Sequence, residues 1–132
     1  MLTSFDQVKN NLTNHIAAYV ILNYPTKNGS MGSLLEYLKK TGKRIPEMID
    51  GQQVPKTTIL NSFEEWIMLQ WNEIGQSRIN NDSGAQPITD TQILAYMQLT
   101  DTEYRLIDIK LIKDIDRAFI GELATQRDLN KE

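Results

Sequence analysis

The sequence predicts an all-α fold, a compact bundle of four main helices with room for one short extra helix. Two observations carry this. Apolar residues recur at intervals of three and four along most of the 132 residues, and helix-start signals stand at the heads of those same segments. A third agrees with them: no strand-like alternation runs longer than a few residues.

In the first segment Phe5, Val8, Leu12, Ile16 and Val20 form one helical stripe, and Ser4 with Gln7 can cap its start. It ends at Asn23-Tyr24-Pro25, and residues 25–32 form a loop by virtue of their Pro, Gly, Asn and Ser. Ser33 with Glu36 opens a short helix through Leu34, Leu35 and Leu38 that stops near Gly42. Residues 43–57 are a connection broken by Pro46, Gly51 and Pro55, in which Ile45 to Ile49 can supply at most about a turn of helix.

From Thr58 to Gly75, Ile59, Phe63, Ile67, Trp71 and Ile74 return at helical spacing, while Leu60, Trp66 and Leu69 widen the stripe to most of the circumference. A helix apolar nearly all round is either central in the fold or covered by a partner, and self-association into a homo-oligomer is the simplest cover. Residues 76–86 are the longest polar stretch and are expected as an exposed loop.

Two capping boxes follow. Thr89 with Gln92 is flanked by the hydrophobic staple of Ile88 and Ile93, and Thr100 with Glu103 is flanked by Leu99 and Tyr104. Two helices are thus expected to meet at Thr100 with almost no linker. The last helix places Tyr104, Ile107, Leu111, Ile115, Phe119 and Leu123 on one face, with Asp108 and Asp116 among the charges elsewhere. Residues 124–132 lose apolar content and are expected to fray.

Composition fits a single helical domain over residues 1–132: 40% hydrophobic and 23% charged residues are ordinary globular values. A net charge of −3 supplies no field that would draw the molecule onto nucleic acid. The one basic cluster, Lys39, Lys40, Lys43 and Arg44, falls at a helix end, where cations complement the dipole. No apolar run approaches the length of a membrane span, and the N-terminus lacks the basic start and apolar run of a signal peptide, so a cytoplasmic protein without a membrane partner is expected.

The chain offers little chemistry, and no catalytic, cofactor-binding or metal-binding residue is assigned. Cysteine is absent, and the one histidine, His15, sits beside the stripe of the first helix as a boundary residue with an expected hydrogen-bond partner. The pairs Glu64 with Glu65 and Asp114 with Asp116 fall in patterned helices, where charges ordinarily form a solvated face. The glycines of residues 28–33 precede a helix but lack the ending of a phosphate-binding loop. Trp66 and Trp71 cannot both face one narrow stripe, which leaves one for the core and one for a contact surface.

A series of landmarks runs through about two thirds of the chain: Gly42-Lys43 with a following proline, Trp66 or Trp71 before Arg78, a Gly-containing polar loop, Pro87-Ile88, Ile93, Tyr96, Leu99-Thr100, and Ile115-Asp116-Arg117-Ala118-Phe119-Ile120. This series resembles the C-terminal extension region of tail assembly chaperones of long-tailed phages. The resemblance covers the helical region 33–123 and leaves out residues 1–32, the N-terminal helix and loop. It implies a non-catalytic assembly factor, without cofactor, that works in the cytoplasm of the infected bacterial host and binds the tape-measure and major tail-tube proteins. On that reading the candidate protein-binding residues are Trp66, Trp71, Tyr96 and Arg78, the aromatic ones on the expectation that they are exposed. A reading from another class is a small phage or mobile-element protein that binds and inhibits a host defence factor, using its acidic balance to mimic nucleic acid.

Overall fold

The computed structural model describes residues 4–23, 48–49, 52–53 and 59–129. The expected loop at 25–32, the short helix at 33–42 and the basic cluster at 39–44 lie outside the described residues. Within them the architecture is all-α: α1 (Phe5–Asn23), α2 (Ser62–Gly75), α3 (Asp90–Thr100) and α4 (Leu106–Leu129), with two two-residue hairpins, β1–β2 (Met48–Ile49, Gln52–Gln53) and β3–β4 (Asn80–Asn81, Gly84–Ala85).

α1 begins as its sequence dictates, with Ser4 Oγ accepting from the Gln7 N–H at 3.1 Å. Its stripe of Val8, Leu12, Ile16 and Val20 is buried, and α1 packs chiefly along α4. α2 starts later than its apolar spacing suggests. Asn61 caps it: the Asn61 side chain accepts from the Glu64 N–H at 2.8 Å while the Glu64 carboxylate accepts from the Asn61 N–H at 3.0 Å. Ile67, Gln70, Trp71 and Ile74 form its buried face, and Leu69 is left outside.

The connections hold short hairpins beyond what their sequence suggests. Met48–Ile49 is not helical but pairs antiparallel with Gln52–Gln53, Ile49 opposite Gln52. The polar stretch 76–86 likewise contains a hairpin, with Asn81 opposite Gly84. Gly84 has φ +103°, open to glycine but not to residues with a Cβ.

The Thr89–Gln92 box is formed reciprocally, and both staple residues, Ile88 and Ile93, are buried. The second box does not exist. Thr100 is the last residue of α3, its hydroxyl donating back to Tyr96 O, and Asp101 closes the helix in the left-handed conformation with φ +53°. α4 starts only at Leu106, where Asp108 accepts from the Arg105 N–H at 2.9 Å. A true connection, residues 101–105, thus replaces the abrupt junction.

α4 also continues past Leu123 to Leu129, with Gln126 buried and Arg127 donating to Ser83 O, so residues 124–129 are ordered helix rather than a frayed end. Its buried face is rotated from the expected one. Asp108, Leu111, Ile112, Ile115 and Asp116 are buried, Ile107 is exposed, and Tyr104 is buried just ahead of the helix.

Candidate functional site

The most elaborate polar arrangement centres on Asp116, drawn from α4 into the core. Its Oδ1 accepts from Trp71 Nε1 at 3.0 Å and from the Arg78 guanidinium, and its Oδ2 accepts from the Ile88 N–H at 2.9 Å. The Arg78 and Asp116 side chains are 8% and 5% exposed, so this is a buried ion pair. Arg78 also donates to Gln86 O at 2.9 Å, and its guanidinium lies over the Phe119 ring, 5.0 Å from the centroid. Phe119 in turn meets Trp71 edge to face, with centroids 5.0 Å apart. The cluster joins the end of α2, the hairpin, the entry to α3 and the middle of α4. Its evident role is structural: the hydrogen bonds tie four segments to one buried ion pair.

Of the four candidate binding residues, Trp71 and Arg78 belong to this buried cluster, and the expectation of exposure fails for Trp71. Trp66 and Tyr96 are half-buried. Trp66 stands edge-on to Tyr104 with centroids 5.8 Å apart, and Tyr104 donates to Gln70 Oε1 at 2.6 Å. Burial, with Tyr96 and Asp108 nearby, pushes the Tyr104 phenol well above its ordinary range. The expectation that the paired carboxylates form a solvated face also fails in part. Glu64 is buried, its second oxygen accepting from Asn11 Nδ2 of α1, and Asp116 is buried as described, while Glu65 is exposed and Asp114 pairs with Arg117.

His15 departs from expectation as well. Its Nδ1 is shut off from solvent without a hydrogen-bond partner among the described residues, and burial lowers its pKa from 6.5. Among the described residues no group of three or more His, Asp or Glu side chains is placed to hold a metal ion, and no helix is long and apolar enough to cross a membrane.

The feature that points outward is apolar. Leu99, at the end of α3, is 86% exposed and Leu106, at the start of α4, is 68% exposed, with Ile107 beside it. These residues flank the 101–105 connection, whose Tyr104 touches Trp66. Leu94 on α3 and Leu69 on α2 are also about half exposed. α3 itself is lightly anchored: Ile93 is its one buried residue, and Tyr96 and Met97 are only partly covered. Sequence reasoning missed Leu99 and Leu106 because Leu99 fitted a staple that does not form. Comparison of the chain with protein-family models, curated proteins and solved structures finds no match.

Proposed function

We propose that this chain is a non-catalytic assembly factor of the phage tail assembly chaperone kind, which binds the tape-measure and tail-tube proteins during tail morphogenesis in the host cytoplasm. The observation that carries the binding reading is the apolar corner of Leu99, Leu106 and Ile107, large side chains held in water by short-range helix geometry. Covering such side chains gains roughly 25 cal/mol for each Å² removed from water, and a partner supplies the cover. The phage-tail assignment rests on the resemblance of the landmark series. Trp71, Arg78, Ile88, Asp116 and Phe119 from that series meet in the buried cluster, which makes them determinants of the fold and moves the binding surface to the corner and to half-buried Trp66 and Tyr96.

The test is size-exclusion chromatography of the purified chain with the tape-measure and tail-tube proteins of the same phage. A stable complex with either is expected, weakened more than about tenfold in a Leu99→Asp/Leu106→Asp variant that keeps its helical circular dichroism. The chain should be absent from purified particles, as an assembly factor that departs. Failure to bind either protein would refute the tail-chaperone reading, and undiminished binding by the double variant would refute the corner.

A further inference from the structure

Two shallow cavities lie side by side on the outer side of α4, on either flank of Ile120. One, about 200 Å³, is lined by Pro87, Ile88, Lys113, Asp116, Arg117 and Ile120. The other, about 230 Å³, is bounded by the β3–β4 hairpin and by Ile120, Leu123, Ala124 and Arg127. Lys113, Arg117, Ile120, Ala124 and Arg127 follow one another at intervals of three and four, so they share one face of α4 and make a single cleft about 21 Å long. Its floor is apolar.

Its charge is the opposite of the molecule's. The chain carries −3, yet three cations line the cleft, and the one carboxylate in the lining, Asp116, is already neutralised by Arg78. Lys113 is held by Asp90, which is largely in water, and Arg117 is held by Asp114, with the Arg117 side chain 72% exposed and that of Asp114 13% exposed. The exposed Lys113–Asp90 pair contributes little, so an incoming carboxylate can exchange for Asp90 at small cost, while Arg117 uses one nitrogen on Asp114 and keeps further donors. Arg127 uses one nitrogen on Ser83 O, and a guanidinium has further donors.

We propose that this cleft is a second docking site, for an acidic peptide segment of a partner protein that seats apolar side chains against Ile120 and Leu123 and carboxylates against Arg117 and Arg127. The inference deepens the assembly-factor reading and rests on its premise that the chain works by binding protein. A segment of about six extended residues spans the cleft. Charge complementarity selects the occupant: a basic segment would face three like charges.

The experiment uses the full chain and two fluorescent probes, a short peptide rich in aspartate and glutamate with two leucines, and the same peptide with lysine at each acidic position. Anisotropy titrations should show the acidic probe binding, the basic one not, and affinity falling as salt rises. Arg117→Glu/Arg127→Glu should weaken the acidic probe about tenfold or more, and Ala124→Phe should weaken it by filling the floor while leaving the charges in place. Equal binding of both probes, no binding of either, or indifference to both variants in protein of unchanged circular dichroism would overturn the cleft. The two readings fail separately. Loss of tail-protein binding by the Leu99→Asp/Leu106→Asp variant with the acidic probe still bound supports both sites, whereas a chain that binds the probe but neither tail protein keeps the cleft and loses the tail-chaperone reading.

Discussion

Asp116 carries a negative charge to a place almost withdrawn from water, and three donors from three parts of the chain make that tolerable. The two members of its ion pair are not equally dependent on each other. Without Arg78 the carboxylate keeps the Trp71 and Ile88 donors, whereas without a charged Asp116 the guanidinium keeps only Gln86 O and the Phe119 face. Breaking a buried pair from the side that leaves the poorer-satisfied charge is the more destructive change. Asp116→Asn is therefore expected to lower stability by about 3–4 kcal/mol in urea unfolding, and Arg78→Met by less, about 2 kcal/mol. The double variant should cost less than the sum, because the second change removes a group already stranded by the first. Equal and small effects, under about 1 kcal/mol each, would show that the cluster does not hold the elements together.

At the scale of the element, stability is concentrated at helix ends. Asn61→Ala removes the cap of α2 and frees Glu64 from the box, which also ties Asn11 of α1, so a loss of about 1–2 kcal/mol is expected from thermal or urea unfolding. Asp101 closes α3 in a conformation with φ +53° that glycine adopts without a Cβ penalty. Asp101→Gly should accordingly raise stability by about 0.5 kcal/mol, the relief being partly offset by the greater freedom of glycine in the unfolded chain. These same ends show what was legible in the sequence. The Ser4 cap and the Thr89–Gln92 box with its Ile88–Ile93 staple could be read because every participant lies within about five residues. The Asn61–Glu64 box was overlooked under the apolar spacing that runs through Ile59 and Leu60. Thr100 with Glu103 had the right letters, but the helix before it was stable enough to run through Thr100. The burial of Asp116 is not legible in its helix pattern because its partners are remote: Trp71 lies 45 residues from Asp116 and Arg78 lies 38. No local pattern announces such a pairing, and for the same reason the sequence does not say which of Trp66 and Trp71 belongs to the core.

Across the whole molecule, the chain's single histidine links stability to pH in a direction opposite to that of a paired histidine. His15 lies in α1, the helix that packs along α4, and its Nδ1 is closed to solvent without a partner among the described residues. Burial favours the neutral ring, so the folded-state pKa lies below the unfolded value of 6.5. Above 6.5 both states hold a neutral ring and the group makes no pH-dependent contribution. As pH falls below 6.5 the unfolded chain takes up a proton that the folded chain resists, and stability is lost until the folded-state pKa is reached. Urea midpoints should thus be level from about pH 8 to 7 and decline from about pH 6.5 toward 5.5, a window that stays above the range in which free carboxylates protonate. His15→Gln keeps a polar side chain of similar reach and removes the titration, so its profile should be flat over the same window even if its midpoint is lower throughout. A decline of equal slope in the variant would show that His15 is not the source of the acid sensitivity.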